Sequence, residues 1–274
     1  MPELPEVETI RQQLKKQILG RKITKIEILE PRAINVSQSR FKKGITGAKI
    51  IDILRRAKLL IFKLSNGNYF VVHLKLTGRL LFVKEKTSTT RYTRIIFYLS
   101  EGHKLFFDDL RKFGYIKFFD KEGLQKFLKK EKFGIDPLDR KFTSDIFSKL
   151  LAKRSRSKIK PLLMDQSFLA GVGNVYAQEA CFYAKIAPTR TAGSLSPKEI
   201  KDLHNGLRKV LISAIKKKGA SVDTYVDIYG RQGGFVPHLQ VYGRKGKSCY
   251  RCNGKIKSIK LGGRGTYFCP KCQK

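Results

Sequence analysis

Four cysteines near the C-terminus, arranged Cys249-x2-Cys252-x16-Cys269-x2-Cys272, have the spacing in this chain that most directly implies chemistry. Two Cys-x-x-Cys pairs at this separation suit a tetrahedral site in which each pair forms a tight turn and one zinc ion clamps both. Four thiolates close the coordination shell, so the ion is expected to be structural, with no position open to a substrate. Disulfide pairing is the alternative, and it fits poorly with a chain that reads as intracellular. The fifth cysteine, Cys181, lies in an apparently helical stretch and reads as a small buried hydrophobe.

The cysteine module is also the most one-sided in charge. Asp227 is the last acid, and residues 228–274 contain eleven Lys or Arg. A zinc module with no counter-charge finds its simplest partner in nucleic-acid phosphates. The whole chain carries 58 Lys+Arg against 22 Asp+Glu, a formal +36. Four thiolates and one zinc ion would reduce that to about +34. With 41% hydrophobic residues the chain has material for ordinary cores, which excludes an acidic disordered chain. No apolar run is long enough to span a bilayer, and Met-Pro-Glu-Leu-Pro-Glu-Val-Glu is acidic where a signal peptide would be basic.

The elements that must position these groups fall into three regions. Val7, Ile10, Leu14 and Ile18 recur at helical spacing, with Pro5 suited to the first turn and Glu6 and Glu8 to a helix N-terminus. Eight apolar runs follow, at 22–29, 49–54, 59–64, 69–74, 80–83, 94–99, 104–107 and 115–119, with turns at Asn66-Gly67 and Glu101-Gly102. Short strands at this density predict a sandwich or barrel. After Phe119 the period becomes helical at 143–153, 160–165, 174–185 and 197–218, the last with Ser196, Pro197 and Glu199 as cap, first position and capping box. The expected boundaries are 1–129 for the strand-rich domain, 130–142 for a linker, 143–236 for the helical domain and 237–274 for the zinc finger.

The opening Pro2-Glu3-Leu4-Pro5-Glu6-Val7-Glu8 resembles the N-terminus of the formamidopyrimidine-DNA glycosylases, and the matches continue along the chain. They include Arg55-Arg56-Ala57-Lys58, His73-Leu74-x-Leu76-x-Gly78, Asp109-x-Arg111-x-Phe113-Gly114 and Leu163-Met164-Asp165-Gln166. Further on stand Ala170-Gly171-Val172-Gly173-Asn174-Val175-Tyr176, Val241-Tyr242-Gly243-Arg244 and Gly263-Arg264-Gly265-Thr266-Tyr267-x-Cys269-Pro270. The resemblance implies an α+β fold: an N-terminal antiparallel β-sandwich preceded by a helix, then a helix-two-turn-helix domain with a β-hairpin zinc finger.

It also implies an activity, a bifunctional glycosylase/AP lyase acting on oxidised purines in duplex DNA. After loss of Met1, Pro2 would present a secondary amine of pKa about 8, partly unprotonated near neutrality. Attack on the anomeric carbon displaces the damaged base and leaves a protein–sugar iminium, from which β- and δ-elimination cut the strand. Glu3 would be the general acid/base that opens the sugar ring. Lys58 would contact phosphate and assist β-elimination, and Arg264 would grip the flanking phosphates and serve δ-elimination.

By the same resemblance Leu76, Arg111 and Phe113 form the wedge that fills the gap left by an extruded nucleotide, with Leu76 in place of the usual Met. His73 falls among the DNA contacts. Tyr92 stands where many members have a DNA-contacting His, and Arg156 lies near a phosphate-binding lysine position. Asn174, at a helix N-terminus, suits a phosphate, and Ser221 matches a residue of the lid over the flipped base. The expected cofactor is one structural zinc ion and the expected partner damaged double-stranded DNA. The protein is expected to act as a monomer in the bacterial cytoplasm, associated with the nucleoid through DNA. Two alternatives stand beside this reading: an endonuclease-VIII-like activity on oxidised pyrimidines, and a non-catalytic zinc-ribbon nucleic-acid-binding protein.

Overall fold

Val7, Ile10, Leu14 and Ile18 line the buried face of helix α1 (Leu4–Ile18), as their spacing requires. The helix starts with a reciprocal capping box: the Glu3 side chain accepts from the Glu6 backbone, and the Glu6 carboxylate accepts the Glu3 N–H at 2.8 Å. The computed structural model describes residues 1–274. Chain contacts divide it into two units, Met1–Glu131 with Lys217–Val236, and Lys132–Lys216 with Pro237–Lys274.

In the first unit two antiparallel four-stranded sheets face each other. One has the order β1 (Ile23–Ile28), β6 (Thr93–Leu99), β7 (His103–Asp109), β5 (Gly78–Lys84). The other runs β2 (Ile50–Arg56), β3 (Leu59–Leu64), β4 (Tyr69–His73), β8 (Tyr115–Phe119). Stacked phenylalanines join them: Phe62 lies 4.3 Å from Phe70, and Phe70 lies 5.2 Å from Phe97 of the opposite sheet. The β6–β7 hairpin turns on Glu101 and Gly102, both at positive φ (64° and 68°), which matches the twist of the paired strands. All eight expected strands are present.

Two helices of this unit had no periodic signal long enough to predict them. Helix α2 (Gln38–Ile45) is capped by Ser37 and buries Phe41 and Ile45. Helix α3 (Lys121–Lys130), capped by Asp120, continues directly from β8. The segment Lys217–Val236 belongs with this unit, although its sequence follows the long helix and falls within the helical domain expected over 143–236. Tyr225 and Ile228 enter the sandwich core, and Gln13 of α1 bonds to Asp227 at 2.8 Å.

The second unit contains α4 (Ser144–Ala152), α5 (Ile159–Met164), α6 (Asn174–Tyr183) and α7 (Pro197–Lys216), with the hairpin β9 (Lys257–Leu261)–β10 (Arg264–Phe268). Residues 132–142 of the linker expected over 130–142 are packed here. Phe142 is buried, Ala170 N–H donates to Ile135 at 2.9 Å, and Arg208 donates to the Pro137 carbonyl at 2.6 Å. Gly134 permits this, since a Cβ there would lie 2.3 Å from the Phe168 carbonyl oxygen. No helix is long and apolar enough to cross a membrane.

Candidate active site and nucleic-acid interface

Pro2 and Glu3 are buried at the head of α1, while Met1 is exposed. Glu6, one turn in, joins this point to the 217–236 segment: its second carboxylate oxygen accepts the Ala220 N–H at 2.9 Å. Gly219 makes the approach possible. It sits at φ +83°, and a Cβ would come within 2.9 Å of the Glu6 side chain and the Tyr225 ring. Ser221 follows, its hydroxyl donating to the Tyr225 carbonyl at 2.7 Å and accepting from Gly233 N–H at 2.9 Å. Asp223 lies 3.8 Å from the Met1 ammonium.

Lys58 is 8% exposed and follows Ala57, whose φ of +53° forms the tight β2–β3 turn. Beside the turn, Arg55 pairs with Glu8 of α1 at 2.9 Å. Burial opposes ionisation of Glu8, but hydrogen bonds from Arg11 and Arg55 outweigh it and hold the carboxyl below its usual range. His73 ends β4, its Nδ1 accepting the Lys75 N–H at 2.9 Å, which leaves the proton on Nε2. Burial, reinforced by the charges of Lys75, Lys58 and Lys117, pushes its pKa down to about 3. The ring is therefore a neutral donor at any physiological pH.

The wedge residues sit on two loops tied by one carboxylate. Asp109 is 1% exposed and accepts from the Thr77 hydroxyl, from Arg111 N–H at 3.2 Å and from Gly114 N–H at 2.7 Å. Thr77 also accepts the Arg111 N–H at 2.9 Å. Leu76 thus stands beside the loop that presents Arg111 and Phe113. The Arg111 guanidinium lies 4.9 Å over the Phe113 ring, and Phe113 is 54% exposed, so a large apolar side chain is presented to solvent. Tyr92 joins the cluster through its backbone, which accepts the Asp109 N–H at 2.9 Å. Its hydroxyl accepts from Arg91 at 2.5 Å.

In the second unit Asn174 opens α6. Its Nδ2 donates to Gly265 O of the zinc hairpin at 3.2 Å, so part of the amide expected to face a phosphate holds the hairpin instead. Gln178, one turn later, accepts the Tyr267 N–H at 2.6 Å. The hairpin turns on Gly262 and Gly263, at φ 58° and 73°, and Arg264 follows them, exposed. Arg156 is exposed in the turn between α4 and α5 and makes no hydrogen bond.

The four ligand sulfurs of Cys249, Cys252, Cys269 and Cys272 lie within 4.8 Å of one another, with Cys249–Cys272 at 3.9 Å and Cys252–Cys269 at 3.5 Å. A zinc–sulfur bond of about 2.3 Å in a tetrahedron sets sulfurs roughly 3.8 Å apart, so the set fits one structural zinc ion.

Comparison with known proteins agrees with this geometry. Family models match in order: the formamidopyrimidine-DNA glycosylase N-terminal domain over residues 1–116, its H2TH domain over 133–226, and the zinc finger found in FPG and IleRS over 246–274. The formamidopyrimidine-DNA glycosylase of Pelotomaculum thermopropionicum is 43% identical, with 100% of this chain and 99% of that protein covered. The chain belongs to the formamidopyrimidine-DNA glycosylase family. A Lactococcus lactis FPG mutant in complex with Fapy-dG-containing DNA superposes with a TM-score of 0.93 at 36% identity, covering 100% of both chains. MutM in complex with DNA containing carbocyclic 8-oxo-G gives 0.92 at 36% identity over the same coverage.

Within this family frame, three supporting residues lie outside the site residues that the sequence leads one to expect. Glu6 connects the Pro2 end of α1 to the Ser221 segment, and Asp109 organises the wedge loops. Glu179 is buried in α6 and accepts the N–H groups of Gln240, Val241 and Tyr242 at 2.8, 3.0 and 2.9 Å, tethering the chain that leads into the zinc module. Burial raises its pKa, against those three donors. Only Asp109 carried a signal: an acid two residues before a loop arginine and five before a glycine.

Proposed function

We propose that the chain is a bifunctional DNA glycosylase/AP lyase that removes 8-oxoguanine and formamidopyrimidines from duplex DNA, with the Pro2 amine as nucleophile once Met1 is removed. The observation that carries this is the setting of Pro2 and Glu3, buried together at the head of a capped helix, with the Ser221 segment bound to the same helix through Glu6. The Pro2 nitrogen attacks C1′, the glycosidic bond breaks with its electrons leaving on the base, and the nitrogen loses its proton. Glu3 protonates the ring oxygen as the sugar opens. The iminium acidifies the C2′ proton, whose loss expels the 3′ phosphate, and then, through the conjugated double bond, the C4′ proton, whose loss expels the 5′ phosphate. Lys58 and Arg264 stabilise the phosphates through these steps.

Leu76, Arg111 and Phe113 fill the vacated stack, Arg111 facing the orphaned base, while His73, Tyr92, Arg156 and Asn174 hold the backbone. Residues 1–129 supply the chemistry, and 143–236 and 237–274 the grip, except that the Ser221 segment works with the catalytic unit. The protein acts as a monomer in the bacterial cytoplasm. Borohydride trapping on an 8-oxoguanine:cytosine duplex tests the mechanism. Met1-processed protein is expected to form a covalent adduct, and no adduct would overturn the lyase reading. Trapping by protein that retains Met1, in which the Pro2 nitrogen is an amide, would assign the chemistry to another amine. Stronger turnover of oxidised pyrimidines would select the endonuclease-VIII-like activity instead.

A further inference from the structure

Thr224, in the segment that carries Ser221, is held at two points by the start of β5 and the turn before it. Its carbonyl accepts the Arg79 Nε–H at 3.0 Å, and its hydroxyl donates to the Leu76 carbonyl at 3.4 Å. The bond to Thr224 is the only hydrogen bond of the Arg79 side chain. In the strand register Arg79 faces Asp108, which in turn faces Thr93 on β6, so the three side chains share one face of the sheet.

Asp108 is 6% exposed, and its carboxylate is poorly served. Oδ2 accepts from the Thr90 hydroxyl at 3.4 Å, and Oδ1 is buried with no hydrogen-bond partner. Burial pushes this carboxyl above its usual range, with the Thr93 and Thr90 hydroxyls and the charges of Arg79 and Arg94 acting against it. Arg94 is already committed to the carbonyls of Asp109 and Arg91, at 2.9 and 3.3 Å. Arg79, with one bond made and its terminal nitrogens unused, is the cation able to answer Asp108.

We propose that Arg79 is a positioning residue that latches the 221–225 segment, and that Asp108 receives its guanidinium when the segment lifts. Opening exchanges a bond to a neutral carbonyl for a charge-assisted one, so neither the guanidinium nor the carboxylate is left buried and unpaired. The segment therefore has two states close in energy. The effect on catalysis rests on the proposed function, with the Ser221 segment as the lid over the flipped base that the family resemblance implies. A preformed abasic site has no base to cover and should not depend on the latch.

The chain contains no tryptophan, so Val222→Trp places a single fluorescent reporter in the segment. In that background Arg79→Met should raise acrylamide quenching of the reporter. Single-turnover excision from an 8-oxoguanine:cytosine duplex should fall roughly three- to tenfold, the effect of one hydrogen bond, while cleavage of a preformed abasic duplex stays unchanged. Asp108→Asn should act oppositely on the reporter, lowering quenching because the lifted state loses its acceptor. Unchanged quenching in both variants would overturn the latch, as would equal losses on the two duplexes. If the unsubstituted protein cleaves neither duplex, the glycosylase reading fails, and the quenching measurements still decide the latch.

Discussion

Gly114 donates its N–H to the Asp109 carboxylate at 2.7 Å, closing the loop that presents Arg111 and Phe113 from a side chain outside it. Gly114 can do so only without a side chain, because a Cβ would lie 2.8 Å from the Phe107 ring and 3.0 Å from that same carboxylate. Replacing Asp109 by Ala leaves the Gly114 N–H and the Thr77 hydroxyl proton to find other partners, while the Arg111 N–H keeps its bond to Thr77. Each buried donor left unsatisfied costs about 1–3 kcal/mol. Asp109→Ala is therefore expected to lower thermal stability and to reduce excision at least tenfold, with a larger effect on lesion duplexes than on single-stranded abasic DNA, which needs no wedge. Equal effects on both would remove the loop from the reading.

His73 gives a prediction with a definite sign. Its folded pKa of about 3 lies below the ordinary value of 6.5, so the unfolded chain binds the proton more readily. The stability linked to this residue is complete above pH 6.5 and is lost as pH falls toward 3. Denaturant titrations should show proton uptake on unfolding in that window, and His73→Asn should remove that part of it. Binding and excision should in turn show no inflection from His73 between pH 5 and 8. An imidazole resonance titrating near 6.5 in the folded protein would contradict the assignment.

Zinc removal should separate the two units functionally. The cysteine module is joined to α6 through Gln178 and Glu179, and the metal supplies its internal order. Chelation, or Cys269→Ala, is expected to abolish duplex binding in mobility-shift assays while the sandwich keeps its β-sheet circular dichroism. Full binding by the metal-free protein would contradict the proposed role of the module.

The elements legible in the sequence were those whose apolar spacing is local. Val7–Ile18 and the eight strand runs announce their buried faces, and the cysteine spacing announces the metal. Helix α2 was not legible because eight residues containing Gly44 and three basic side chains carry too little periodicity. Gly44 is there because Phe118, more than seventy positions away, occupies the place of its Cβ at 2.3 Å. The same limit hid the placement of 217–236. Its contacts with Glu6, Gln13 and Arg79 span well over a hundred residues, and nothing local distinguishes it from the end of the long helix. Likewise Asn174 reads as a phosphate ligand from its helix position, whereas its bond to Gly265 depends on a hairpin ninety residues on.

The excess charge can be divided by salt dependence. Each phosphate neutralised contributes a slope of about −0.9 in log K against log salt, so the slope counts contacts and not the total charge. Arg264, exposed at the hairpin turn, is proposed to be such a contact. Arg264→Ala should weaken binding of undamaged and lesion duplexes alike and make the slope shallower by about 0.9. Arg111 is proposed to face a base, so Arg111→Ala should instead alter preference for the base opposite the lesion and leave the slope nearly intact. Fluorescence anisotropy with both duplexes across a salt series measures both effects. A slope unchanged in Arg264→Ala would place that arginine off the phosphates, and a changed slope in Arg111→Ala would place that one on them.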